Sequence, residues 1–209
     1  MAIKATQPEQ MERELIPAGM HLARCYSMIE IGTIEVDYQG DIKNQHKVQL
    51  TWEFPTELRV FDKSKGEQPM VMSKTYTLSM HEKATLRLHL ESWRGKGFSE
   101  DEAKGFDITK LLGVSCMINV THNVSTKGNK YANISAITPL AKGMTMQDQV
   151  NKNFVLSYDD FEFEKYNSLP QWLREKMAES EEFRKISDAV HGQEEEKKQI
   201  QDPKEEPPF

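Results

Sequence analysis

The chain has 209 residues, 37% of them hydrophobic and 29% charged, with a formal charge of −6. Residues 17–147 hold 16 Lys and Arg against 14 Asp and Glu, whereas 148–209 hold 9 against 16, so a near-neutral body is joined to an acidic end. No apolar run reaches the roughly 18–20 residues that span a bilayer, and the start of the chain, with Lys4, Glu9, Glu12, Arg13 and Glu14, has no hydrophobic signal region, so the cytoplasm is the expected compartment.

Residues 1–16 read as a charged, flexible leader, and Ile16-Pro17-Ala18-Gly19 as a turn. Met20–Ile31 is the first expected strand. Its core parity is His21, Ala23, Cys25, Ser27, Ile29 and Ile31, which leaves Leu22, Arg24, Tyr26 and Met28 outside. Gly32 marks a bend or bulge. Tyr38–Gln45 is polar and loop-like. Lys47–Phe54 alternates again, with Val48, Leu50, Trp52 and Phe54 against Gln49, Thr51 and Glu53, and Pro55 closes it. After a polar connection over 57–69, Met70–Met80 is a third strand with Lys74, Tyr76 and Leu78 on one side and Ser73, Thr75 and Thr77 on the other.

The period then changes to that of a helix over Glu82–Trp93, capped by Ser79 or His81. Leu86, Leu90 and Trp93 recur on one face, with Gly95 and Gly97 as stops. Asp107–Leu112 predicts a short second helix. Val114–Leu140 predicts a hairpin: Cys116, Ile118 and Val120 face inward on its first strand, and Ala132, Ile134 and Ala136 on its second. Gly128 takes a positive φ in the turn between them. Met144–Lys152 and Ser168–Val190 have helical composition, the latter with Leu169, Trp172, Leu173 and Met177 on a docking face. From Gly192 onward the composition is that of a disordered acidic tail.

Three strands, a helix and two more strands lie too close in sequence for parallel crossovers. The expected fold is mainly β (α+β): a closed five-stranded Greek-key barrel of OB-fold topology, with a helix between strands 3 and 4. It divides the chain into a leader (1–16), a barrel domain (17–147), a helical extension (148–191) and a tail (192–209). Cys25 and Cys116, each inside an expected strand, are read as buried reduced thiols. Without CxxC spacing they make a poor zinc site, so no metal or other cofactor is expected.

A single-strand binder needs aromatic platforms for bases and cations for phosphates. Arg24 with Tyr26, Lys74 with Tyr76, and Lys130 with Tyr131 pair these chemistries on outward parities. Trp93-Arg94-Gly95-Lys96-Gly97-Phe98 does so in a loop, and Lys127 stands at the hairpin tip. Trp52 shares its parity with Val48, Leu50 and Phe54, which argues for the core; it stays a candidate platform. The six histidines, at 21, 46, 81, 89, 122 and 191, form no HExxH or HxH pattern. No phosphate-binding glycine motif occurs, so no enzyme is expected.

The chain ends Asp202-Pro203-Lys204-Glu205-Glu206-Pro207-Pro208-Phe209. Acids before an apolar terminal residue suit a basic, hydrophobic partner pocket, with Asp202, Glu205, Glu206, Pro207, Pro208 and Phe209 as its contacts.

That tip resembles the acidic Pro-Phe tail of bacterial single-stranded DNA-binding proteins. Residues 17–180 resemble bacteriophage single-stranded DNA-binding proteins of OB-fold type. The matching stretches are Trp52-Glu53-Phe54-Pro55, Tyr76-Thr77-Leu78-Ser79, Ser92-Trp93-Arg94-Gly95-Lys96, Phe106-Asp107-Ile108 with Leu111-Leu112-Gly113, and Gly128-Asn129-Lys130-Tyr131-Ala132-Asn133-Ile134. The resemblance implies sequence-independent coating of single-stranded DNA in phage replication and recombination, inside a bacterial host, with replication or recombination proteins recruited through the tip. The tip departs from the bacterial form by having only two acids before the prolines and a lysine inside it. A protein-interaction or recombination-mediator module on the same barrel is the alternative, and a nuclease accessory a third.

Overall fold

The computed structural model describes residues 14–38 and 40–190. One sheet is built from β1 (Gly19–Tyr38), β2 (Asp41–Asp62), β3 (Gly66–Thr77), β4 (Ser115–Val124), β5 (Lys130–Pro139) and the short β6 (Phe154–Leu156). Its order is β3-β2-β1-β4-β5, antiparallel throughout, and β6 runs parallel to β1. Between β3 and β4 lie α1 (Thr85–Arg94), α2 (Glu100–Lys104) and a 3-10 turn at Ile108–Leu111. After β6 come α3 (Phe163–Ser168), α4 (Gln171–Ala178) and a last helix, α5, over 181–190. The fold is mainly antiparallel β with a few helices. The expected closed barrel of five strands is instead an open sheet of six, because β3 and β5 share no ladder.

Several strands outrun their apolar patterns. The stretches at 38–45 and 57–69, expected as loops, are the ends of two long hairpins, with Tyr38 opposite Asp41 and Asp62 opposite Gly66. Ladder hydrogen bonds hold them where no face needs apolar alternation. The expected helix at Met144–Lys152 does not form. Asn151 gives its backbone and side-chain N–H groups to Glu53 Oε2, each at 2.8 Å, and such bonds compete with a helical ladder. In α1 the first turn is lost as well: Ser79 and His81 cap the turn that precedes it, and the helix begins at Thr85. Gly95 ends it at φ +69, as the stop signal required.

Two apolar cores sandwich β1. The first holds Ala23, Cys25, Met28, Val48, Leu50, Trp52, Phe54, Tyr76, Leu86, Leu90, Trp93, Cys116, Ile118, Val120, Ile134 and Ile137. The second, on the other face, gathers Ile29, Ile31 and Ile34 with Leu156, Leu169, Leu173 and Met177. A bulge between Cys25 and Ser27 lets the strand serve both. The expected core parity of β1 is therefore split: Ala23 and Cys25 face the first core and Ile29 and Ile31 the second, while Met28, expected outside, is buried in the first. A second bulge, between Asn119 and Val120, switches β5 from Ile134 to Ile137 and leaves Ala136 only half-buried. Cys25 and Cys116 are unbonded and buried, as expected, and burial pushes the Cys25 thiol up to about 12.

The extension after β5 wraps β1 from its second face over its edge. Gly32, at φ +94, sits where a Cβ would come within 2.7 Å of Ser180 and Glu182. Beyond it Glu182 accepts from Thr33 N (2.6 Å) and Thr33 Oγ1 (2.7 Å). Glu30 accepts from Tyr158 N (2.9 Å) and bonds His46 Nε2 (2.7 Å).

Candidate nucleic-acid interface

Residues paired across antiparallel strands share a face. Val48, Leu50 and Trp52 face the first core, so Tyr76 and Lys74, opposite Val48 and Leu50, do too. The outward parity expected for this pair is thus reversed. Tyr76 is buried, with its hydroxyl 2.9 Å from His89 Nδ1. Lys74 reaches from β3 to β5, donating to Ile134 O (2.5 Å) and Asn133 Oδ1 (3.3 Å). Burial lowers the pKa of this ammonium; burial, and then the charge of Lys74, brings His89 down to about 4. These side chains fill the gap between β3 and β5 that a ladder would otherwise close.

Other expected contacts are also withdrawn from solvent. Trp52 and Trp93 lie in the first core, ring centroids 6.0 Å apart. Arg24 lies beside the fully buried Glu53 (3.8 Å) and donates to Gln147 O (2.7 Å). Tyr26, at the bulge, is half-buried, and its phenol is raised by burial and by the Glu53 charge. Arg94 stacks over Phe98 at 4.0 Å and Phe106 at 4.9 Å and donates to Glu102 at 2.7 Å. Glu102 also closes a capping box with Ser99, and the Ser99 N–H with Arg94 holds its carboxyl at about 2. Lys96 is exposed but lies 3.5 Å from the same carboxylate. The loop read as a binding element is a carboxylate-anchored turn.

The β4–β5 hairpin keeps its expected exposure. Tyr131 is 45% exposed on the parity opposite Ala132 and Ile134, and Lys127 and Lys130 stand free of any carboxylate among the described residues. Gly128 makes the turn at φ +81.

Next to this hairpin lies a strip that the candidate residues did not include. On the side away from the first core, β2 carries Lys47, Gln49 and Thr51 and β3 their partners Thr77, Thr75 and Ser73; Gln49 and Thr51 are buried, Lys47 and Thr77 partly so, and Ser73 and Thr75 are exposed. Lys47 Nζ donates to Gln45 Oε1 (2.5 Å) and Thr77 Oγ1 (2.9 Å), and the hydroxyls of Thr51 and Ser73 are bonded at 2.8 Å. Between Lys47 and Thr51 on β2, and between Ser73 and Thr77 on β3, no carboxylate interrupts the strip. Burial and the nearby Lys176 lower the Lys47 pKa. Across the β3–β5 gap, Asn133 and Tyr131 fall on the parity of β5 opposite Ile134, and Asn133 accepts from Lys74. The part of the strip open to solvent is the hydroxyls of Ser73 and Thr75 with the half-buried Lys47 and Thr77 beside them, and Tyr131 is the exposed aromatic of the hairpin across the gap. The polar parity of these strands is visible in the sequence, but it carries no aromatic–cation pair. Asp202, Glu205, Glu206, Pro207, Pro208 and Phe209 lie outside the described residues.

Among the described residues no three His, Cys, Asp or Glu side chains come together to hold a metal ion, and no helix is long and apolar enough to cross a membrane. No protein-family model matches the chain, and no curated protein matches it in sequence.

Proposed function

We propose that this protein binds single-stranded DNA along the solvent-facing side of β3 and the adjoining Lys47 of β2, with the β4–β5 hairpin at one end of the track. The observation that carries the reading is the acid-free run from Ser73 to Thr77, where Ser73 and Thr75 are exposed and Lys47 lies beside Thr77. Phosphates need ammonium and hydroxyl donors without competing carboxylates, and sequence-independent binding needs no catalytic group. The succession of three strands, a helix and two strands, with β1 between β2 and β4, supports reading the sheet as an OB-type Greek-key barrel left open at one seam. In that fold the face of strands 2 and 3 and the loop between strands 4 and 5 bind oligonucleotides. Coating of phage DNA in a bacterial cytoplasm, with replication or recombination proteins recruited by residues 202–209, belongs to the same reading.

Fluorescence anisotropy of labelled oligo-dT across a salt series tests it. Binding should weaken steeply as salt rises, and Lys127→Ala with Lys130→Ala should flatten the logarithmic slope by roughly 1.4, about 0.7 for each phosphate that is no longer neutralised. Absence of binding at low salt would sink the reading.

A second reading, a protein-interaction module, is favoured by the β2–β3 arm, where Leu58, Val60 and Phe61 are all exposed. It requires little or no oligonucleotide affinity at any salt, so the same titration separates the two.

A further inference from the structure

The β2–β3 arm carries apolar side chains into water. Leu58, Val60 and Phe61 are 50, 48 and 61% exposed, and the β2–β3 register slips between Val60 and Asp62, so that Phe61 has no partner in the ladder. The Arg59 guanidinium lies 5.8 Å from the centre of the Phe61 ring and 3.6 Å from Glu14. Lys63 and Lys65, in the turn beyond, have no carboxylate within ion-pair distance among the described residues. Asp62 is taken up by the turn itself, accepting from Ser64 N (2.9 Å) and Ser64 Oγ (2.8 Å). The tip is thus an exposed phenyl ring flanked by cations.

A groove of about 230 Å³ with the opposite charge lies at the other end of the same strands. Of its lining residues Met28, Val48 and Leu156 are buried and Leu78 is exposed, while Glu30, Asp107 and Asp159 supply carboxylates and no Lys, Arg or His takes part. Glu30 is bonded to His46 and Tyr158, and Asp107 to Thr109, but neither Asp107 nor Asp159 has a cation within ion-pair distance among the described residues. A cavity of roughly 150 Å³ accepts a benzene ring, so the groove has room for a phenyl side chain. From Val48 to Phe61 the strand is roughly 40 Å long at about 3.3 Å a residue, so a tip does not reach the groove of its own molecule.

We propose that the Phe61 tip of one molecule seats in the groove of a second copy of this chain, with Lys63 and Lys65 against Asp107 and Asp159. Nucleic acid would use the ring and the cations but has no need of Leu58 and Val60, and it would be repelled by the groove; a second copy answers both surfaces at once. Tip and groove are different surfaces at opposite ends of β2, so the contact is heterologous: each copy offers a tip to the next, and the array grows head to tail. On β3 the segment Ser73–Thr77 lies between the arm and Leu78 of the groove, so in such an array it sits between two contacts. A role for the array in coating DNA rests on the reading of β3 given above; the contact between copies does not.

Sedimentation velocity of the full chain without DNA tests the contact. The wild type should form species that grow beyond the dimer as its concentration rises. Phe61→Asp keeps the groove, and Leu78→Lys with Asp159→Lys keeps the tip; each should weaken association at least about 30-fold and sediment as a monomer where the wild type is assembled. An equimolar mixture of the two variants should form a heterodimer and stop there, because the pair retains one intact tip and one intact groove. The altered side chains are exposed, so circular dichroism of both variants should match the wild type. A wild type that stays monomeric or stops at the dimer up to its solubility limit overturns the proposal, as does a mixture that stays monomeric. Phe61→Asp should bind the shortest oligo-dT that the wild type binds with little change. A loss of about 5- to 150-fold, that of a stacking aromatic, would assign the tip to DNA and overturn the proposal as well. A wild type that assembles but binds no oligo-dT would remove the reading of β3 and leave the contact between copies standing.

Discussion

The two cores on either side of β1 are built from different parts of the chain. The first is closed by residues from β1 to β5 together with α1, and its centre is a pair of packed indoles in a matrix of Val, Leu and Ile. The second consists of β1 and elements that come after β5, with Ile, Leu and Met at its centre, Phe154, Tyr158, Phe161 and Tyr166 packed against them, and a rim of hydrogen bonds through Glu182, Thr33, Glu30 and Tyr158. The first core is the sheet's own, whereas the second exists only while the extension is docked. Loss of the first should therefore unfold the chain, and loss of the second should free the extension from an intact sheet.

The largest expected effect tests that asymmetry. Trp52→Ala should cost about 3–5 kcal/mol and lower the stability of every element together. Leu173→Ala should cost about 2–5 kcal/mol, but hydrogen exchange should show the loss in β6 and α4 while the β2–β3 ladder keeps its protection. Equal deprotection of the ladder in both variants would mean that the two cores are one cooperative unit. A smaller effect is expected from Gly32→Ala. The positive φ and the 2.7 Å approach to Ser180 and Glu182 should cost about 1–3 kcal/mol, again felt in the extension first. A variant as stable as wild type would show that the extension does not need this close crossing.

A further effect, visible only in acid, is a pH dependence confined to the first core. His89 has a folded pKa of about 4, below the ordinary 6.5, chiefly through burial. Between those values the unfolded chain binds a proton that the folded chain refuses. Stability should fall as the pH drops from about 6.5 towards 4 and lose this dependence below that. His89→Gln should remove that part of the slope in urea unfolding curves taken across the window. An unchanged slope would assign the acid sensitivity to other groups.

Much of the sheet was legible from alternation because β2 and β4 each turn one apolar parity to a single core: Val48, Leu50, Trp52 and Phe54 needed no further information, although the burial of Gln49, Thr51 and Glu53 on the other parity of β2 had no such signal. β1 was half legible. Ile29 and Ile31 were rightly read as buried, but they turn to the opposite side from Cys25, and nothing local in the sequence marks the bulge between them. Tyr76 was misplaced for a related reason. On an edge strand bearing Lys74, the polar residues Ser73, Thr75 and Thr77 could be read as either face, and only pairing with Val48 and Leu50 decides it. The cations of the Trp93–Phe98 loop were visible, but their neutralisation by Glu102 depends on the turn that carries Ser99. Of the candidate contacts, Lys127, Lys130 and Tyr131 are the ones both exposed and without a carboxylate partner among the described residues, and local pattern could supply that exposure because a hairpin tip is itself a local structure.

Lys74 has a consequence for how the molecule behaves in a crowded solution. The stretch Met70–Leu78 is rich in β-formers, and its strand stands at the margin of an open sheet, which is the usual starting point for chain-to-chain association. Its one charged side chain points inward and is held by Asn133 and the Ile134 carbonyl. A strand adding from another molecule would have to enter the seam that this ammonium bridges, breaking its bonds to β5 and leaving a cation stranded against apolar neighbours. The bridge across the gap thus acts as a guard against aggregation, and it leaves the outward face of the strand uncommitted.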